Sequence, residues 1–209
     1  MGSTQDNDDD DDDDDYDGSM NIVTFATLVS VQPKLYMISL YHGTKTRDSF
    51  FKNQHGILQL LDKRQKNLVP LLGKRSGYEE GYQKHAACRD DGYAWGTVRV
   101  PVHSSYLFAA EDLDDDDANG KDATCDRIRH FDGIRVLPKC QSYIAVKLIQ
   151  TMEAGDHEMA LCEVVGVGEW DDSRECVVNV SVGEDGSGTA AKDETHVLYT
   201  GYLRKEGIL

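Results

Sequence analysis

NIVTFATLVSVQPKLYMISLYHGTKTRDSFF, residues 21–51, is the stretch from which the fold can be predicted. Residues 22–30 and 35–41 are rich in β-branched and aromatic side chains, which favour strands. Between them, Gln32-Pro33-Lys34 marks a turn, because proline fixes its own φ and has no N–H to donate. The stretch therefore predicts a strand, a tight turn and a second strand, followed by a polar loop and the start of a helix.

The polar loop, HGTKT at residues 42–46, brings hydroxyls, a glycine and one cation to the start of the helix predicted over 47–55. Amides at a helix N-terminus lack partners within the helix, and together with the helix dipole they favour an anion such as a phosphate. An ordinary N-cap and first turn would use the same residues. Local chemistry leaves both interpretations open.

The rest of the chain alternates short apolar segments with turns. These patterns predict strands over 56–61, 93–100, 140–150, 157–170 and 176–182, a helix capped by Asp62 over 63–73, partial helical character over 74–87, and a short helix or turn over 198–205. A turn at 153–156 joins two of the strands into a hairpin. Many strands, few helices and hairpin connections predict a mainly β fold, an antiparallel barrel with a few short helices.

The net charge of −16 is concentrated in two segments. Residues 1–20 carry ten acids and no base, and residues 111–122 carry seven acids and one lysine, so the remainder is balanced. A balanced body without a basic stripe argues against nucleic-acid binding. Like charges at this density resist collapse. We therefore expect a disordered segment over 1–19 and one domain over 20–209 with a mobile acidic insert at about 103–126.

The five cysteines are scattered, with no CxxC pair and no zinc spacing, which predicts reduced structural thiols and no metal site. A calcium-loop pattern that begins at Asp13 fails, because Thr24 stands where a bidentate glutamate is needed. No apolar run reaches the roughly 18 residues of a membrane span, and the acidic N-terminus lacks the apolar core of a signal peptide. These features predict an intracellular protein, most simply a cytoplasmic one, and leave an organelle open.

Several motifs in order resemble the flavin reductase-like family, the FMN-binding split barrels. They are N-x-x-T at 21–24, V-S-x-x-P-K-L at 29–35, S-L-Y-x-G-T-K-T at 39–46, Leu-Gly-Lys-Arg-Ser-Gly at 72–77, Gly155-Asp156-His157, and LYTGYLRKEGIL at 198–209. The resemblance covers about residues 21–209, with gaps at the acidic insert and at a polar loop near Gly186. It implies a split barrel of Greek-key-like topology that binds FMN, or possibly FAD.

The resemblance also implies a set of cofactor-binding residues. Lys45 and Thr46 would face the phosphate, with Ser39 and Thr44 close by. The ring or ribityl chain would lie along Asn21, Thr24, Thr27 and Ser30. Lys74 and Arg75 could reach a phosphate, or could simply close a helix C-terminus. Ordinary strand packing of Thr24 and Thr27, and a small barrel-facing Ser39, are the alternatives.

His157 is the residue that the resemblance places beside the flavin and the nicotinamide. Its alternative role is that of a histidine at the start of a strand, bonded to Asp156. The implied activity is transfer of hydride from NADH or NADPH to the flavin, in which the cofactor carries the reactivity. The family resemblance further implies a homodimer with the flavin near the interface.

One departure from the family pattern leaves other functions open. An aspartate run occupies residues 8–15, where the family has an apolar strand, so we expect the barrel to be incomplete on that side or the strand to be replaced. The missing strand makes a non-catalytic or degenerate FMN-binding protein the first alternative. An acidic interaction protein, whose aspartate tracts bind basic partners, is the second.

Overall fold

The computed structural model describes residues 19–99, 130–179, 198 and 200–208. The acidic segment over 1–18, the acidic insert and the polar loop at 183–193 lie outside the described residues. The strands are β1 Ala26–Ser30, β2 Leu35–Tyr41, β3 His55–Leu60, β4 Gly96–Val98, β5 Arg135–Val136, β6 Ser142–Ala154, β7 His157–Asp171 and β8 Cys176–Asn179. The helices are α1 Lys45–Asn53, α2 Leu68–Gly73, α3 Lys84–Asp90 and α4 Thr200–Lys205. The predicted mainly β class with few short helices is confirmed.

The longest strand, β7, holds the two parts of the sheet together. β6 pairs with its residues 157–168 on one edge. On its other edge, β2 pairs with residues 157–163 and β8 with residues 168–171. β1 pairs with β2, and β3 pairs with β6. β4 pairs with β8, and β5 pairs with β4. The strands that pair with the two ends of β7 thus diverge from each other, and this arrangement is the split barrel that the sequence predicted.

The strand pairing differs from the predicted all-antiparallel pattern at one place. Six of the seven pairings among the described residues are antiparallel, whereas β4 and β8 run parallel. The predicted hairpin of β6 and β7 is present, and its turn consists of Gly155 and Asp156, with Gly155 at φ +70°. The register shifts next to the Ala145–Gly166 pair, where β7 contains a bulge.

Several element bounds differ from their predictions for local reasons. β1 begins at Ala26 rather than Ile22, and among the described residues β2 is its only strand partner. α1 begins at Lys45, two residues early, because Thr44 caps it. The single helix predicted over 63–73 is divided into a 3₁₀ turn, Lys63–Gln65, and α2. Pro70 lies in the first turn of α2, where its missing N–H costs no helical bond.

The buried Asp62 fixes the connection between β3 and α2. Its side chain is 1% exposed, and its Oδ1 accepts from the backbone N–H and from Nε of Arg64, both at 2.8 Å. The amide of Gln141 donates to the other oxygen. Hydrogen bonding from the Arg64 side chain, the largest cause, lowers the pKa of Asp62 to about 2 despite its burial. The predicted cap is therefore confirmed as a buried, charge-assisted one.

The inner face of the sheet carries one of two apolar clusters. Its buried members come from β2, β6 and β7: Ile38, Leu40, Ile144, Val146, Ala160 and Cys162. Phe50 and Phe51 of α1 pack against this cluster. α1 therefore covers one end of the inner face, and alternate side chains of β2 and β7 are directed to the opposite, outer face.

Candidate functional site

The loop between β2 and α1 forms one end of the candidate site. Thr44 is the N-cap of α1: its Oγ1 accepts from the Arg47 N–H at 3.3 Å and donates to the Tyr41 carbonyl at 2.9 Å. Thr46 Oγ1 donates to Ser19 Oγ at 3.0 Å. None of residues 42–46 is buried. The ordinary capping role of Thr44 is thus present, and the helix N-terminus is accessible to an anion.

The outer face of β1, β2 and β7 forms the other part. We define it by Phe25, Thr27, Ser39, Tyr41 and His157, which lie opposite the buried Ile38 and Leu40 in the strand alternation. The Ser39 N–H donates to the Phe25 carbonyl at 2.9 Å, and Tyr41 pairs with His157. The imidazole of His157 packs edge-on against Tyr41, at 5.2 Å between ring centroids, and against Phe25 at 6.3 Å.

His157 is held in place by its neighbour in the hairpin turn. Its Nδ1 donates to Asp156 Oδ1 at 2.6 Å, because an ionised carboxylate can only accept. This hydrogen bond is the largest cause that lowers the pKa of Asp156. The alternative role predicted for His157 is therefore realised. The bond also orients the ring, so Nε2 is directed away from the turn.

Two contacts tie this turn to the loop before α1. The His42 N–H donates to the Asp156 carbonyl at 3.1 Å, and His42 Nε2 lies 3.2 Å from the Glu153 carboxylate. The loop and His157 therefore meet at the same end of the sheet.

The predicted cofactor residues fall into separate places. Ser39, Thr44, Lys45 and His157 lie at the Tyr41 end of β2 and at the start of β7. Asn21 and Thr24 line a cavity of about 650 Å³, which Thr46, next to Lys45 in the first turn of α1, also borders. Ser30 pairs with Leu35 at the far end of β2, about 20 Å from Tyr41 at the usual rise per residue. Thr24 and Thr27 are both exposed.

Lys74 and Arg75 lie on a loop that the structure brings to the α1 N-terminus. A Cβ added to Gly77 would lie 2.9 Å from Ser19 Oγ and 3.1 Å from the Cβ of Lys45, and Tyr78 OH donates to Asp48 Oδ2 at 2.7 Å. Arg75 itself is engaged elsewhere. Its guanidinium bonds Glu79 and lies over the Tyr82 ring at 3.7 Å.

A partly buried ion pair that the sequence did not reveal joins α1 to β7. Arg47 Nε donates to Glu158 Oε2 at 3.1 Å, its Nη2 donates to the same oxygen, and its Nη1 donates to Asp48 Oδ1 at 2.7 Å. Hydrogen bonds to Asp48, first, and to Glu158 raise the pKa of Arg47. The two partners are 111 residues apart along the chain, and no local pattern predicts such a contact.

A buried lysine anchors the segment that leads into the site. Lys84 of α3 is 6% exposed, and its Nζ donates to the Met20 carbonyl at 3.0 Å and to the Leu72 carbonyl at 2.6 Å. Burial lowers its pKa to about 8. The lysine thus connects the residue before Asn21 to the last turn of α2.

Residues 4–181 match the family model described as the flavin reductase like domain. This chain therefore belongs to the flavin reductase-like family, and the resemblance noted in its sequence is confirmed.

Solved structures of this kind are similar to the chain at low sequence identity. An FMN-binding protein from Thermus thermophilus is 18% identical, with a TM-score of 0.47, and the match covers 73% of this chain and 63% of that one. Flavoredoxin of Desulfovibrio vulgaris is 19% identical, with a TM-score of 0.47 and coverages of 74% and 63%. The flavin reductase of a Pseudomonas putida styrene monooxygenase is 15% identical, with a TM-score of 0.43 and coverages of 71% and 68%. The chain thus spans less than two thirds of the first two proteins. No curated protein matches the chain.

Two further properties concern the described residues alone. No helix within them is long and apolar enough to cross a membrane. Nor do those residues contain a group of three or more His, Cys, Asp or Glu side chains arranged to hold a metal ion. The four cysteines that the structure describes are buried free thiols, and burial raises the pKa of Cys140 and of Cys162 to about 12.

Proposed function

We propose that this chain binds FMN, or alternatively FAD, and reduces the flavin with NADH or NADPH. The observation that carries the proposal is the meeting of the 42–46 loop with His157 at one end of the outer face. Tyr41 directly precedes the loop and pairs with His157 across the strands. A ligand that has both an anionic group and a flat ring could contact the two parts at once.

The chemistry of the loop fits a phosphate. Lys45 supplies a point charge, Thr46 a hydroxyl, and the start of α1 supplies backbone amides and the positive end of the helix dipole. One of the two acidic charges close to this helix start is offset, because Arg47 is bonded to both Asp48 and Glu158. Lys74 lies on the neighbouring loop and is exposed, so it is a second candidate cation.

The outer face fits a ring. Phe25 and Tyr41 provide exposed aromatic surface, 66% and 55% exposed, beside an imidazole whose orientation Asp156 fixes. When bound, the flavin supplies the hydride acceptor. The residues of the chain hold the rings in position, and Phe25 and Tyr41 shield one side from water. His157 Nε2 offers a hydrogen bond to whichever ring lies against it.

A homodimer is part of this proposal. Exposed apolar side chains continue from the outer face along β1 and the β6–β7 hairpin: Phe25, Val29, Val31, Ile149 and Met152, each at least 49% exposed. A second copy of the chain would cover them and shield the ring site from water. Size-exclusion chromatography with light scattering should give twice the chain mass, and a single chain mass would contradict this part.

The proposal is tested with purified protein reconstituted with FMN. Titration by flavin fluorescence should show saturable binding, and addition of NADH or NADPH under anaerobic conditions should bleach the flavin absorbance. Thr46→Val should weaken FMN binding, whereas Thr97→Val on the distant β4 should not. His157→Gln should retain FMN but reduce it about tenfold or more slowly, because small misplacements of reacting rings are costly.

The two outcomes of that experiment separate the proposal from its alternative. A non-catalytic flavin-binding protein is favoured by one observation, since β1 has a single strand partner among the described residues and Asn21–Thr24 is not a strand. Such a protein would bind FMN without bleaching on either nicotinamide nucleotide. Failure to bind FMN at all would refute both.

A further inference from the structure

We propose that the partly buried Arg47–Glu158 pair is a positioning device that sets the phosphate end of the site relative to His157, and so determines the preference for a phosphorylated flavin over riboflavin. This inference rests on the proposed flavin-binding function. The pair joins two elements that each carry one end of the candidate site.

Arg47 lies in the first turn of α1. Its backbone N–H is the one that Thr44 caps, so Arg47 lies in the helical turn that presents Lys45 and Thr46. Its side chain is 27% exposed and lies over the Phe51 ring at 5.0 Å. The backbone of Arg47, bonded to the Thr44 cap, and its side chain, packed over Phe51, therefore both help to hold the first turn of α1 in place.

Glu158 lies at the start of β7. It follows His157 directly, so the two side chains lie on opposite faces of the strand. His157 is on the outer face, whereas Glu158 is directed inwards, with its side chain 11% exposed, and receives two hydrogen bonds from Arg47. A rigid contact at Glu158 thus fixes the distance between the start of α1 and the strand residue that carries the imidazole.

Arg47 also sets the charge at this end of the site. Without Arg47, the carboxylate of Glu158 would be buried and unpaired beside a helix N-terminus proposed to hold an anion, and would repel that anion. Asp48 would add to the repulsion. Asp48 is itself held by Tyr78, whose loop also carries Lys74 and Arg75. The guanidinium therefore offsets one of the two carboxylate charges beside the start of α1, and its removal would leave both carboxylates without that cation.

The test compares FMN with riboflavin, which has the same ring and no phosphate. Dissociation constants for both are measured by flavin fluorescence on the wild-type protein, on Arg47→Met, on the double variant Arg47→Met/Glu158→Met, and on Arg174→Met as a control. Arg174 contacts Asp171 in the turn before β8, far from the site. Thermal unfolding of each variant is recorded alongside.

We expect the wild-type protein and the control to prefer FMN, and the preference to fall by about tenfold in both Arg47 variants, on the order of one charge-assisted hydrogen bond. Arg47→Met alone should also unfold at a lower temperature, because it leaves a buried charge, and the double variant should recover much of that loss. If the pair were merely structural, the affinities for FMN and for riboflavin would fall in parallel. An unchanged preference in the double variant would therefore overturn the inference.

A ligand-free measurement keeps this result distinct from a failure of the proposed function. Hydrogen exchange of the amides at residues 45–48 should be faster in both Arg47 variants than in the wild-type protein and the control. If the wild-type protein binds neither flavin, the proposed function is refuted, and with it the flavin preference assigned here. Unchanged exchange would refute the positioning role by itself, whatever the protein binds.

Discussion

Replacement of Lys84 by methionine tests whether a charged group is buried beside the entry to the site. Burial lowers the pKa of this lysine from 10.5 to about 8. The folded state therefore disfavours the protonated form, and the cost is complete below about pH 8, declines as the pH rises, and is absent above about 10.5. A difference of this size corresponds to about 3 kcal/mol between the two limits.

The assay is urea unfolding followed by the fluorescence of the two tryptophans, at pH 7 and at pH 10 under reducing conditions. Other groups titrate in this range, so the informative quantity is the difference in unfolding free energy between the wild-type protein and Lys84→Met. We expect that difference to shift by about 2 kcal/mol or more in favour of the wild-type protein on going to pH 10. Lys147→Met, which removes an exposed lysine, should show no such shift. A difference that is the same at both pH values would refute the burial of a charged Lys84.

Three further predictions concern the scaffold. Asp62→Asn should lower the free energy of unfolding by about 2 kcal/mol at pH 7, because the Asp62 carboxylate, whose pKa is lowered, stabilises the fold while it is ionised. The difference from the wild-type protein should vanish as the pH falls from 4 towards 2. A difference that does not depend on pH would contradict this. Gly96→Ala should lose about 1–3 kcal/mol in urea unfolding, because its Cβ would lie 2.4 Å from the Trp170 ring; full stability would show that Trp170 moves freely. Thr44→Ala should lose about 1 kcal/mol and weaken FMN binding, whereas Thr44→Ser, which keeps the capping hydroxyl, should do neither; equal effects of both would exclude the cap as the cause.

Local sequence patterns predicted most of the elements. β2 was predicted with its observed bounds, because Leu35–Tyr41 is bounded by a proline turn and a polar loop. The hairpin of β6 and β7 followed from two apolar runs around Gly155. β1 was predicted four residues too long, since strand propensity cannot reveal whether a partner strand is present at Ile22–Phe25. The parallel pairing of β4 and β8 depends on contacts distant in sequence, which propensity does not encode.

The candidate site was predictable only in part, for the same reason. The motif order placed His157 and the 42–46 loop in one site, and the structure brings them together. It separates Ser30 from them by the length of β2. The most distant partners of Arg47, Asp48 and Lys84 lie 111, 30 and 64 residues away along the chain. Such contacts arise from the fold, so a sequence without a structure cannot supply them.

The adjacency of His157 and Glu158 on one strand constrains how this protein can change. If the β6–β7 turn lost or gained a single residue and the start of β7 slid by one position against β2 to compensate, the two side chains would exchange faces. The imidazole would then be directed at the Arg47 guanidinium in the interior, and the carboxylate would stand among the exposed aromatic rings. A change of length at this turn is therefore tolerable only if the turn itself absorbs it, because a one-residue slip of β7 would misplace both side chains.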